Sequence, residues 1–182
     1  MPYIEVQRDY LFHRETNIRK MLRPLTLHPS NPACSRSPLF GGDIAIGAYD
    51  GSLRGGVIRD WRFSTRAAQI SANYYEIWKQ LTGKPGRFYL YQAYLTLFEK
   101  LGPTNEKELI ALQCDPQEYK IAPTIYKKGP HIHVSAAFAP IDKAHIALNL
   151  GHLDEVIVNV DNLMEALKRS IEMIRDEIVN RY

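Results

Sequence analysis

Hydrophobic positions recur along this chain with two periods. Near the C-terminal end Leu163, Leu167, Ile171, Ile174 and Ile178 follow helical spacing, behind an Asp161 or Asn162 suited to an N-cap. They predict a helix over about 162–179. Ile70, Tyr74, Ile77, Trp78 and Leu81 fall on one helical face between a capping Ser64 and a stop at Gly83 and Pro85. They predict a central helix over about 65–81. Elsewhere the period is two. Arg87–Lys100 is rich in Phe, Tyr and Leu and ends at Gly102-Pro103, which favours a long strand, and Leu109–Cys114 reads as its partner. Val156–Val160 reads as a short apolar strand.

The N-terminal part is less regular. Tyr3-Ile4-Glu5-Val6 alternates, and the stretch around Ile18, Met21 and Leu22 has helical spacing. Residues 28–38, with Pro29, Pro32 and Pro38, read as a loop. Asp50-Gly51 is a favoured two-residue hairpin turn and sets Asp43–Tyr49 against Ser52–Ile58. The nearby glycines lack both common nucleotide-loop spacings, so they read as bulges or points of close backbone approach. The sum is an α+β fold in one domain, 1–182: a mostly antiparallel β-sheet built from hairpins, with the central and C-terminal helices packed on it.

One segment concentrates candidate chemistry. Gly129–His152 holds four of the six histidines. His131, His133, Ser135 and Ala137 alternate with Ile132, Val134, Ala136 and Phe138, as a strand with two different faces would. If Pro140–Lys143 is the turn, His131 lies opposite His152 and His133 opposite Leu150. His131, His133 and His152 then share one face, while His145 falls on the other. Three imidazoles at one place suit a divalent metal such as zinc, a phosphate or a catalytic proton. Asp154 and Glu155 follow closely as candidate supporting groups, or as an ordinary acidic turn.

Composition sets the limits around that site. With 182 residues, 45% hydrophobic and 24% charged, the chain is long enough for a sizeable core. Net charge is only +3, but it divides into +4 for residues 1–70 and −1 for the remainder, and nine of the ten cations in residues 1–70 are arginine. Arg59, Arg62 and Arg66 fall where a strand would feed the central helix, and a helix N-terminus with arginines nearby can hold phosphate. Cys34 and Cys114 form neither a disulfide framework nor a C-x-x-C motif. No apolar run reaches membrane-spanning length and no apolar leader opens the chain, so a cytoplasmic setting is expected.

His131-Ile132-His133-Val134-Ser135 resembles the core of the histidine-triad nucleotide hydrolases, whose middle histidine attacks phosphorus and would correspond to His133. Ser135 stands where that family has its third histidine. His131-x-His133 is also similar to part of a cupin metal site, without the glutamate that should follow, and His133-Val134-Ser135 matches one copy of the H-x-[ST] repeat of two-histidine phosphoesterases. None of these assigns a family. Two functional readings stay open. One is a histidine-cluster hydrolase or phosphodiesterase acting on a phosphorylated, nucleotide-like ligand, with His131, His133 and His152 catalytic and Arg59, Arg62 and Arg66 binding phosphate. The other is a non-catalytic binding or regulatory module, associated with nucleic acid, whose histidines are structural.

Overall fold

The computed structural model describes residues 4–26, 33–50, 57–114, 131–135, 143–147 and 160–181. In chain order the elements are β1 (Glu5–Gln7), α1 (Arg8–Leu22), β2 (Ala33–Pro38), β3 (Ile44–Tyr49), β4 (Phe63–Ser64), β5 (Ile70–Gln80), β6 (Arg87–Lys100), β7 (Glu106–Cys114), β8 (His131–Ser135), β9 (Lys143–Ala147) and α2 (Val160–Glu177). A 3-10 turn, Ile58–Asp60, precedes β4. The strands lie side by side in the order β2-β3-β5-β6-β7-β8-β9, with β1 added to β6 and β4 to β5. Every pairing is antiparallel. The fold is therefore α+β, a mostly antiparallel sheet with one N-terminal and one C-terminal helix. Among the described residues no helix is long and apolar enough to cross a membrane.

The central helix expected over 65–81 is strand β5. Its residues have two periods at once: Ile70, Tyr74, Ile77 and Trp78 fit a helix, while Ile70, Ala72, Tyr74, Glu76 and Trp78 alternate as a strand. Aromatic and β-branched content favours the strand, and long-range pairing on both sides decides it. Because β5 is central, Ser71 to Glu76 are buried on both faces, so no polar face marks the alternation. Two further expectations change. Ser52–Ile58 is not the hairpin partner of β3, whose two edges are taken by β2 and β5; Ile58 lies in the 3-10 turn, and 51–56 are outside the described residues. Residues 33–38, expected to be loop, pair with β3, while 28–32 are likewise outside the description. Residues 156–159, expected as a short strand, also lie outside it, and Val160 opens α2. That helix agrees with the expected 162–179, and Leu167, Ile171 and Ile174 are buried along it.

Both helices contribute to one core on one face of the sheet. Leu11, Ile18 and Leu22 of α1 and Leu167, Ile171 and Ile174 of α2 join Ile46, Tyr74, Trp78, Leu95, Leu97 and Leu112 in a single apolar cluster. Arg14 lies in the same buried stripe of α1, and Glu76 meets it from β5; both side chains are fully buried. Arg14 donates from Nε to Glu76 Oε2 at 2.9 Å and from Nη2 to Oε1 at 2.6 Å. Tyr74 Oη and Trp78 Nε1 donate to the same carboxylate at 2.6 and 2.8 Å. Burial pulls the Arg14 pKa down, but the Glu76 charge and its hydrogen bonds override this and hold it above the ordinary arginine value. The guanidinium therefore stays charged inside the core.

The opposite face has a smaller cluster of Ala45, Ile58 and Tyr75, flanked by Trp61, Ile77 and Tyr94. Gly47 of β3 lets the 3-10 turn settle there: a Cβ at 47 would stand 2.6 Å from Ile58 Cγ1 and 3.1 Å from Trp61 Cε3.

Two stability outcomes follow from these contacts. Arg14→Ala strands a buried carboxylate and is expected to cost about 3–5 kcal/mol by urea denaturation, whereas Arg14→Met with Glu76→Leu recovers most of that loss. A single-variant cost below about 1 kcal/mol would contradict the buried pairing. Gly47→Val should cost about 1–3 kcal/mol through overpacking, with an unchanged midpoint as the contrary result.

Candidate functional site

The site is built from the sheet's registers. Side chains alternate between faces, so directly opposed residues on neighbouring strands share a face. Starting from Tyr75 on the face away from the helices, one row runs Tyr75, Tyr94, Gln113, His131 and Ala147 across β5 to β9. The adjacent row on that face runs Asn73, Thr96, Ala111, His133 and His145. The irregularities of β5–β6 and β6–β7 fall outside these rows, between Ile77 and Trp78 and between Leu97 and Phe98. The alternation therefore passes from β5 to β9 without a change of phase.

This corrects the sequence expectation for the hairpin. His133 is opposite His145, not Leu150, and His131 is opposite Ala147, not His152. The expected turn at Pro140–Lys143 overlaps β9, and residues 136–142 lie outside the described residues. Lys143 and Ala144 already belong to β9, pairing with Ser135 and Val134. The register differs from the expected one by an odd number of residues, which exchanges the two faces of β9. His145 accordingly joins the face of His131 and His133. His152, Asp154 and Glu155 lie outside the described residues. The sequence alone put His145 on the opposite face because the turn was set at Pro140-Ile141-Asp142-Lys143. The histidine spacing itself gave no competing signal.

Other residues along these rows define the local setting. The Tyr75 and Tyr94 rings are 5.3 Å apart, and Tyr94 Oη accepts a 3.2 Å hydrogen bond from Gln92 Nε2. Asn73, buried, donates from Nδ2 to the carbonyl oxygens of Ile58 and Trp61 at 3.2 and 2.5 Å, tying the 3-10 turn to β5. Ala111, also buried, occupies the β7 position beside His133. Gln113 occupies the β7 position beside His131.

Arg59, Arg62 and Arg66 do not surround a helix N-terminus, because the chain they precede enters β5. Arg62 lies over the Phe98 ring at 3.9 Å and donates from Nε to Glu106 Oε2 at 3.0 Å. Its Nη1 donates to the carbonyl oxygens of Arg59 and Trp61 at 3.0 and 3.1 Å. Arg59, on the 3-10 turn, is exposed. These two are neighbours. Arg66 is held elsewhere: its Nε donates to Thr26 O at 3.2 Å, joining the turn before β5 to the segment after α1. Phe98 shares the histidine face, since it lies two residues along β6 from Thr96. Strand spacings put it about 12 Å from His133, within the length of a nucleotide.

No protein-family model, curated protein or solved structure matches the chain.

Proposed function

We propose that this chain is a hydrolase of phosphate esters whose catalytic groups are imidazoles of the β8–β9 hairpin. The observation that carries this reading is the register that sets His133 opposite His145, with His131 two residues along on the same face. Opposed residues in an antiparallel pair have Cβ atoms about 4.5–5.5 Å apart, close enough for both imidazoles to engage one reacting group. Imidazole changes charge near neutral pH, so one ring can accept a proton while its neighbour donates one. In the proposed reaction His133 takes the proton of an attacking water as the new P–O bond forms. His145 protonates the leaving oxygen as the ester bond breaks, and His131 orients the phosphate. This gives His145 the place that the sequence alone offered to His152.

Substrate class rests on the arginines. Arg62 lies over Phe98, which shares the histidine face about 12 Å from His133 by strand spacing, and Arg59 is its exposed neighbour. The Arg62 side chain retains 24% of its surface exposed despite its bond to Glu106. A nucleotide or short oligonucleotide would place one phosphate at the imidazoles and another toward these guanidinium groups.

The test is turnover of a panel of nucleotide phosphodiesters by folded wild-type and His133→Ala protein. The expected loss in kcat/KM is about 10²–10⁴-fold, with a bell-shaped pH dependence in the wild type. Undiminished turnover in the variant, or none in the wild type, contradicts the reading.

A further inference from the structure

We infer that His131, His133 and His145 together form a binding site for one divalent metal ion of the zinc class, with a coordination position left for water. The inference rests on the hydrolase reading for the role of the metal, though not for the metal's binding, and it replaces the proton-carrying roles of His133 and His145 with metal ligation. It begins from the juxtaposition of an H-x-H pair on β8 with a third histidine directly opposite its second member on β9. In such an arrangement the Cβ separations are about 5 Å across the strands and about 7 Å along one strand, with a diagonal of about 7–8 Å. A triangle of that size suits three imidazole nitrogens meeting one ion at about 2.0–2.1 Å.

The residues sharing those rows fit the same purpose. Ala111 is the β7 neighbour of His133, and Ala147 is the β9 neighbour of His131. Alanine at both register positions adds no bulk beyond Cβ beside the two histidines. Gln113, beside His131 in the register, has a side-chain carbonyl of the kind that fixes a metal-bound imidazole through its other ring nitrogen.

The ligand chemistry then narrows the kind of site. Structural zinc sites close all four positions with protein groups, whereas three protein ligands with an open position characterise catalytic ones. Three neutral imidazoles leave the ion's full positive charge uncompensated, which favours ionisation of a bound water and attraction of a phosphate oxygen. With no carboxylate or thiolate in the set, the same site would bind cobalt(II) or nickel(II), and would bind magnesium weakly. An ion held by His131, His133 and His145 would supply a water ionised at lower pH than bulk water, able to attack phosphorus as the ester bond breaks. The leaving oxygen gains a proton from solvent or from the displaced water network, so atoms and charge balance without any redox partner.

The experiment is titration of metal-stripped, full-length protein with zinc ion, read by calorimetry and by competition with a coloured chelator. Parallel titrations use His131→Ala, His133→Ala, His145→Ala and the surface control His13→Ala. Circular dichroism establishes that each variant is folded, and His145→Gln substitutes if His145→Ala is not. One ion per chain is expected. Affinity should fall about 100-fold or more for each hairpin variant and remain unchanged for His13→Ala. Absence of stoichiometric binding, or full affinity in His145→Ala or His145→Gln, overturns the site.

Turnover measured with a chelator and after zinc is restored separates this inference from the function on which it builds. Chelator-sensitive turnover rescued by zinc supports the metal site and the hydrolase activity, with the three imidazoles acting as ligands in place of proton carriers. Chelator-resistant, His133-dependent turnover overturns the metal inference and leaves the imidazole hydrolase standing. Zinc bound through the three histidines without turnover on any phosphodiester supports the site and removes the hydrolase.

Discussion

The ion pair between Arg14 and Glu76 fixes which way the sheet faces. Glu76 stands on the central strand, fully buried, and its carboxylate is met from α1 by Arg14 and from β5 itself by Tyr74 and Trp78. A carboxylate in that place is tolerable only with a charged partner and satisfied lone pairs. The helix must therefore cover the Glu76 face and no other. Once that is set, strict alternation carries the consequence outward. Tyr75, next in sequence, takes the other face, and so in turn do Tyr94, Gln113 and His131 along the paired strands. The position of the histidines relative to the helices thus follows from a charge pair several strands away.

The two faces divide the work. The helix side holds the large apolar cluster, where burial supplies most of the stabilisation. The other side is more polar along its rows, where Asn73, Thr96 and Gln113 share the register rows of Tyr75, Tyr94 and the histidines, and Gln92 lies two residues along β6 from Tyr94. Its own cluster is confined to the region where the 3-10 turn packs over Gly47 and Tyr75. Asn73 binds that turn to β5, and Arg62 closes it against Phe98 and Glu106. This side of the sheet is stiffened by hydrogen bonds and ring contacts next to the rows in which the candidate chemistry lies.

The same ion pair explains what could be read from the sequence. The C-terminal helix was plain because its stripe is unbroken from Leu167 to Ile174, and the strands at Arg87–Lys100 and Leu109–Cys114 were plain because their neighbours reinforce an ordinary alternation. The N-terminal helix was legible at its end around Ile18, Met21 and Leu22 but not at its start, because Arg14 interrupts the stripe after Leu11 and charge in a core stripe imitates a surface position. Strand β5 was mistaken for a helix for the matching reason: Glu76 breaks Ile70, Ala72, Tyr74 and Trp78. Each half of the pair disguises its own element, and the partner cannot be known before the fold is. His131 and His133 were legible from their spacing as two positions on one strand face, which the register agrees with. Their partner was not, since Pro140 offered a plausible turn and an odd change in register substitutes one histidine for another. The arginines were legible as a cluster, but only the sheet shows that Arg66 goes to Thr26 while Arg62 joins Arg59.

All of the proposed chemistry depends on His133 and His145 being directly opposed. Their pairing can be measured by replacing both with cysteine and mapping disulfides after mild oxidation, since opposed antiparallel residues meet the Cα separation of about 4.4–6.8 Å that a disulfide needs. The account predicts a bond between positions 133 and 145, and little or none when the second cysteine is placed at 150 instead. Efficient closure of the 133–150 pair with failure of the 133–145 pair would contradict it.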